Sequence, residues 1–251
     1  MTMSEDKQLI KDYFSILEPE FPDWLNRYIN TKEMQRLKYI STSCGTIYSK
    51  LYNDRVFYSS LVHSVAVALI IWHFTFDKKQ TLAGLFHDIA TPVFKHCIDF
   101  LRGDYLLQES TENETRGIIE NSKEIMQLLE SDLITVDEVC DYKIYPIADN
   151  EKPKLSADRL EYSLSDGLFR YGLLNLDDVK RIYQDIEIEE NEQNEKELAF
   201  STKKIAREFV KVTSNMSVIY REDRTRYSMQ LLADIVKRLY NDRLLSLSDL
   251  Y

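Results

Sequence analysis

The chain has four histidines, His63, His73, His87 and His96, and all of them fall between positions 63 and 96. His87 and Asp88 end the apolar run Leu82-Ala83-Gly84-Leu85-Phe86, and His96 follows nine residues after His87. Imidazole grouped with carboxylate in an apolar neighbourhood suits a divalent first-row metal, because both are good ligands for such ions. Taken alone, His63 among Leu61, Val62, Val65 and Ala66 reads as a core histidine. So does His73, ten residues on and on a different helical face. His96 and Asp99 stand at i, i+3 and share a helical face, which makes them a candidate acid/base pair. Asp158, Tyr162 and Asp166, at i, i+4 and i+8, follow one face of a Leu-rich segment. Carboxylates repeated along such a face are either solvated or bind something.

The elements that must position these groups read as helices. Residues 5–17 carry Leu9, Ile10, Tyr13, Phe14 and Leu17 on one face, and Pro19 and Pro22 end the segment. Thr31 to Met34 reads as a helix start, with Met34, Leu37, Tyr39 and Ile40 as its apolar positions. Residues 41–56 look irregular. Tyr58 to Phe76 reads as a long, mostly buried helix, and Thr81 to Asp88 as the next. Pro92 interrupts the pattern, which resumes from Val93 to Leu101. Residues 103–111 read as a loop. Thr111-Glu112-Asn113-Glu114 resembles a helix start running on to Leu129, and 148–153 a turn before a helix opening at Ser156. The acidic stretch 177–198 reads as a solvated loop or helix connection. Glu197 to Val212 and Ser228 to Leu239 are amphipathic, and the charge cluster Tyr220 to Arg226 between them reads as salted surface.

With 251 residues, 44% of them hydrophobic and 29% charged, the chain can build a full core. Six Gly and five Pro mark too few turns for a many-stranded sandwich or barrel. A net charge of -10 argues against binding nucleic acid through its phosphates. Cys44, Cys97 and Cys140 form no CxxC pair, so neither a disulfide framework nor a zinc knuckle is expected. The N-terminus is polar, with no signal peptide visible, and the longest apolar run, Val65 to Trp72, is too short to span a bilayer. A reducing cytoplasm is the expected location, without membrane association.

The ordered set His63, His87-Asp88, Asp158 resembles the HD-domain superfamily of metal-dependent phosphohydrolases, and within it the deoxynucleoside triphosphate triphosphohydrolases. Three stretches carry the resemblance. Met34-Gln35-Arg36-Leu37-Lys38-Tyr39-Ile40 is similar to the family's QRLRYI helix. His87 to Asp99 is similar to HDLGHGPFSHxxD. Asp158-Arg159-Leu160-Glu161-Tyr162 through Asp166 is similar to DKxDYxxxD. The likeness covers roughly residues 33–170.

The resemblance implies a single all-α domain of about ten helices, an HD core near 33–170 and a helical extension over 171–251. It implies one divalent metal ion (Mn, Fe, Ni, Co, Zn or Mg) held by His63, His87, Asp88 and Asp158. His96 with Asp99 is the best remaining acid/base pair for catalysis, with Glu114 in support. Arg159 and Tyr162 stand where the family contacts phosphate and sugar, and Asp166 where it accepts from a ribose hydroxyl. The expected partner is a small phosphorylated substrate, foremost a nucleotide, and homo-oligomers occur among relatives. The sequence departs from the family at Thr91 and Asn113, where histidines are usual, and at Ser60, where a phosphate-binding arginine is usual. Two functions stay open: a phosphohydrolase acting on a nucleotide or other phosphate ester, and a catalytically impaired HD-domain module that binds a nucleotide or partner.

Overall fold

The computed structural model describes residues 3–44, 56–98 and 114–251. These residues are mostly helical. The helices are α1 (Met3–Leu17), α2 (Leu25–Ile29), α3 (Lys32–Arg36), α4 (Ser60–Thr75), α5 (Lys78–Phe86), α6 (Thr115–Asn121) and α7 (Lys123–Ser131). They continue with α8 (Ala157–Ser165), α9 (Leu176–Tyr183), α10 (Lys203–Arg221) and α11 (Asp223–Asn241). One antiparallel hairpin, β1 (Ile186–Glu190) and β2 (Lys196–Phe200), pairs Ile186 with Phe200 and Glu190 with Lys196. The all-α expectation therefore holds only in its coarser form.

Helix α4 is the centre of the core. It carries no Asp, Glu, Lys or Arg, and a helix that is apolar all round must be buried all round. Residues 63 to 71 are buried without a break. Ser59 caps its start, accepting from the Val62 N–H, and Phe76 ends it in a left-handed conformation at φ 50°. Asp77 follows at once as the cap of α5, accepting from the Lys79 and Gln80 N–H groups. That tight connection folds α5 back along α4, so that Leu82, Leu85 and Phe86 join Leu69, Ile70 and Ile71 in one core. Helices α1 and α8 pack on α4 as well.

Several sequence expectations need correction. Residues 93–96 are turns rather than helix, with φ of 73° at Phe94 and 43° at Lys95; helix begins only at Cys97. The segment up to Leu129 is two helices, because Ser122 adopts an extended conformation and caps α7 by accepting from the Ile125 N–H. The acidic stretch 177–198 holds most of α9 and the hairpin. Within it Ile186 and Leu198 are buried while Glu187 is exposed, so strand alternation was hidden under the charge. The helix expected from Glu197 starts at Lys203, since 196–200 is strand. Tyr39 is 78% exposed rather than a core position. The expected 103–111 loop and the Thr111 helix start lie outside the described residues. Among the described residues no helix is long and apolar enough to cross a membrane.

Away from the core centre, Arg27 and the Tyr28 hydroxyl both donate to Asp132, at 2.9 Å. Burial alone would raise the Asp132 carboxyl, but its bonds to Arg27 and Tyr28 hold it below the usual range. A depressed carboxylate stabilises the fold above its unfolded value, near pH 3.9, and that contribution is lost as pH falls through the folded value. Asp132→Asn is expected to cost about 1 kcal/mol at neutral pH, since Arg27 is half-exposed and screened. The gap between variant and wild type in urea melts should close in strong acid; a gap unchanged from pH 7 to pH 2 contradicts the assignment.

Candidate metal centre

Three helix ends bring the site together. His63 lies in the first turn of α4, directly after its Ser59 cap. His87 is the residue that closes α5, and Asp88 follows it. Asp158 lies in the first turn of α8, which Ser156 caps by accepting from the Arg159 N–H. The Nε2 atoms of His63 and His87 are 3.2 Å apart. Asp158 Oδ1 is 3.2 Å from His63 Nε2 and 3.8 Å from His87 Nε2. Asp88 Oδ1 is 3.9 Å from His87 Nε2. One donor atom each of His63, His87 and Asp88 falls within 4.8 Å of the others. Ligands held at about 2.0–2.2 Å from a common ion must stand about 3–4 Å apart, as the two Nε2 atoms do from each other and from the Asp158 oxygen, and as His87 Nε2 does from Asp88.

The surrounding hydrogen bonds turn the donors inward. His63 Nδ1 donates to the buried carboxylate of Glu161, and His87 Nδ1 donates to the Gly84 carbonyl at 2.7 Å. A carbonyl can only accept, so the His87 proton is on Nδ1 and its Nε2 lone pair faces the centre. Glu161 is wholly buried and accepts also from the hydroxyls of Tyr58 at 2.6 Å, Tyr13 at 3.2 Å and Ser165 at 3.3 Å. Asp88 is held on both sides, by the Thr91 hydroxyl on Oδ1 at 3.0 Å and by Lys95 Nζ on Oδ2 at 2.7 Å. Arg36 in turn fixes the loop after Asp88, donating to the Ile89 and Thr91 carbonyls at 2.8 Å each.

Four acceptors facing one another in a half-buried space require positive charge among them. Burial disfavours the charged form of His63, but Glu161 and Asp158 outweigh burial and push it up to about 10. Asp88 is likewise held well below the usual carboxylate range; burial opposes this, while Lys95 and the two imidazoles outweigh it. The residues present thus fit a divalent cation by donor type, spacing and charge.

Of the residues expected from sequence, His63, His87, Asp88 and Asp158 come together. His96 is in the 93–96 turn and stands outside this group, and its expected partner Asp99 lies outside the described residues. Glu114 is exposed just before α6. Arg159 is committed to its own neighbourhood, donating to the Lys154 carbonyl and to Asp149 at 2.9 Å each and to Asn150. Tyr162 is 37% exposed. Asp166 opens a single π-helical turn, 166–170, and accepts from the Tyr220 hydroxyl at 2.6 Å. Burial raises its carboxyl above the usual range, against Arg170 and Tyr220. His73 is half-exposed and pairs with Glu18 at 3.1 Å, so it is a satisfied histidine but not a core one.

Sequence reasoning assigned no role to Glu161 or Lys95. The signal for Glu161 was its i, i+3 spacing from Asp158, which puts both carboxylates on the α8 face turned to α4. For Lys95, seven residues beyond Asp88, no helical spacing helps, because the intervening backbone is a turn.

No family model matches the chain. It is 29% identical over 153 residues to an uncharacterized protein, YdhJ, of Bacillus subtilis (strain 168). The match takes in 61% of this chain and 45% of that protein, so the chain spans less than half the length of the relative.

Proposed function

We propose that the chain is a metal-dependent phosphohydrolase of the HD-domain type, acting on a nucleotide or another small phosphate ester. The observation that carries this reading is the pair of imidazoles. Each has its Nδ1 proton committed elsewhere, so its Nε2 is left to the group formed with Asp88, and Asp158 Oδ1 stands 3.2 Å from His63 Nε2. His63, His87, Asp88 and Asp158 would hold one divalent ion, whose chemistry is to polarise a phosphoryl oxygen and make a water more acidic. The protein's own part is positional. Glu161 and the Gly84 carbonyl fix the two rings, while Thr91 fixes the Asp88 oxygen that faces them. Such outer partners orient ligands and tune their basicity. Hydrolysis of a monoester joins the water oxygen to phosphorus, breaks the ester P–O bond and sends the water's proton to the departing oxygen. His96 with Asp99 is the proposed carrier of that proton, and the partly exposed Tyr162 the proposed contact to the substrate.

A second reading, a nucleotide- or partner-binding module without turnover, is favoured by Thr91. Its hydroxyl is spent on Asp88, and a threonine in this place offers no titrating group near neutral pH. A phosphate-release screen separates the two. It takes mono-, di- and triphosphates of ribo- and deoxynucleosides and an aryl phosphate, each with Mn, Mg, Ni, Co and Zn. Ion-dependent release is expected, with the product naming the bond broken. Bound ion and bound nucleotide without release would replace the enzyme reading with the binding module.

A further inference from the structure

Lys95 is an unexpected neighbour for a cation site. Its side chain is 10% exposed and its ammonium is 2.7 Å from Asp88 Oδ2. The charge of Asp158 also reaches it. The turn that delivers it holds two successive non-glycine residues, Phe94 and Lys95, at positive φ. L side chains avoid that region, and residues held there cluster at functional sites. The turn is held in place by the Val93 N–H donating to the Leu250 carbonyl at 2.7 Å and the Lys95 N–H donating to the Pro92 carbonyl at 3.0 Å.

A fixed ammonium beside a metal site weakens the metal by Coulomb repulsion. Orienting Asp88 does not require it, since Thr91 already holds the oxygen that faces the imidazoles. The charge is better explained by what must approach the loaded centre. Asp88, Asp158 and Glu161 carry three negative charges around it. A divalent ion offsets two of them and Lys95 the third, whereas without Lys95 the loaded centre would still repel an anion. We propose that Lys95 binds a phosphoryl oxygen of the substrate beside the metal, making it a second cationic contact for the anion. The inference rests on the metal-centre reading above.

The test uses the full chain loaded with zinc or magnesium, whichever it binds, and inorganic phosphate as the probe, followed by calorimetry. Lys95→Met is expected to weaken phosphate binding about 10- to 100-fold, the loss of one charge-assisted hydrogen bond. Its ion affinity should stay equal or rise, because a repelling charge has gone. Lys95→Arg should keep phosphate binding near the wild-type level. Phosphate bound equally by Lys95→Met, or not bound by loaded wild type, overturns the proposal. So does loss of ion and phosphate together in Lys95→Met, which would make Lys95 a support for Asp88 only. Wild-type protein that takes up no ion overturns the metal centre itself, a distinct outcome. Should Lys95→Met not fold, the 15Nζ resonance of Lys95 in wild type decides: it should move when phosphate is added to the loaded protein, and a resonance that stays put refutes the contact.

Discussion

Glu161→Gln should weaken ion binding about 10- to 100-fold while all four donor residues remain, the usual effect of removing a partner behind a metal-bound imidazole. The carboxylate is wholly buried and accepts from four side chains, His63, Tyr13, Tyr58 and Ser165. Glutamine keeps the volume but has one acceptor oxygen, so it cannot orient His63 and satisfy both tyrosines equally well. Glu161→Ala should go further and cost about 3–5 kcal/mol of stability, because it leaves buried hydroxyls and an imidazole N–H without partners. Urea denaturation of the two variants beside ion titration of the Gln variant measures both effects. Wild-type ion affinity in Glu161→Gln would mean that His63 is oriented by something else.

Gly84→Ala should destabilise the fold by about 1–2 kcal/mol, although alanine is the better helix former. A Cβ at residue 84 would overlap Ile71 Cδ1 and stand 3.4 Å from Val67 Cγ1. Ile71 and Val67 are wholly buried on α4, so the end of Ile71 has to turn aside within a packed core. Any overlap that Ile71 does not relieve pushes α5 away from α4. The Gly84 carbonyl also accepts from His87 Nδ1, so the same displacement shifts a ligand. Loss of thermal stability should accordingly be matched by weaker ion binding. Unchanged stability would show that Ile71 can turn aside without loss.

Much of the site's frame was legible because it rests on local signals. The uncharged run from Leu61 to Trp72 could only be a buried helix, and the apolar segment ending in His87-Asp88 could only be its neighbour. The candidate ligands came from the resemblance of their order along the chain, and the structure groups His63, His87 and Asp88 within 4.8 Å, with Asp158 3.2 Å from His63. What stayed hidden depends on contacts distant in sequence or on backbone turns. Glu161 reads as an ordinary helical carboxylate until α8 is laid against α4. Lys95 reads as surface until a turn with positive φ directs it to Asp88. The hairpin was missed because its glutamates dominate the composition, whereas its fold depends on the alternate Ile186, Ile188 and Leu198. The break at Ser122 is a single cap within a continuous amphipathic pattern.

The central claim is that these four side chains hold one divalent ion. The measurement that tests it most directly is ion content and ion titration of the wild-type chain beside His87→Ala, with circular dichroism to establish that both are folded. One ion per wild-type chain and none in folded His87→Ala is the predicted result. A wild-type chain that binds no divalent ion, or a folded His87→Ala chain that retains a full equivalent, would contradict it.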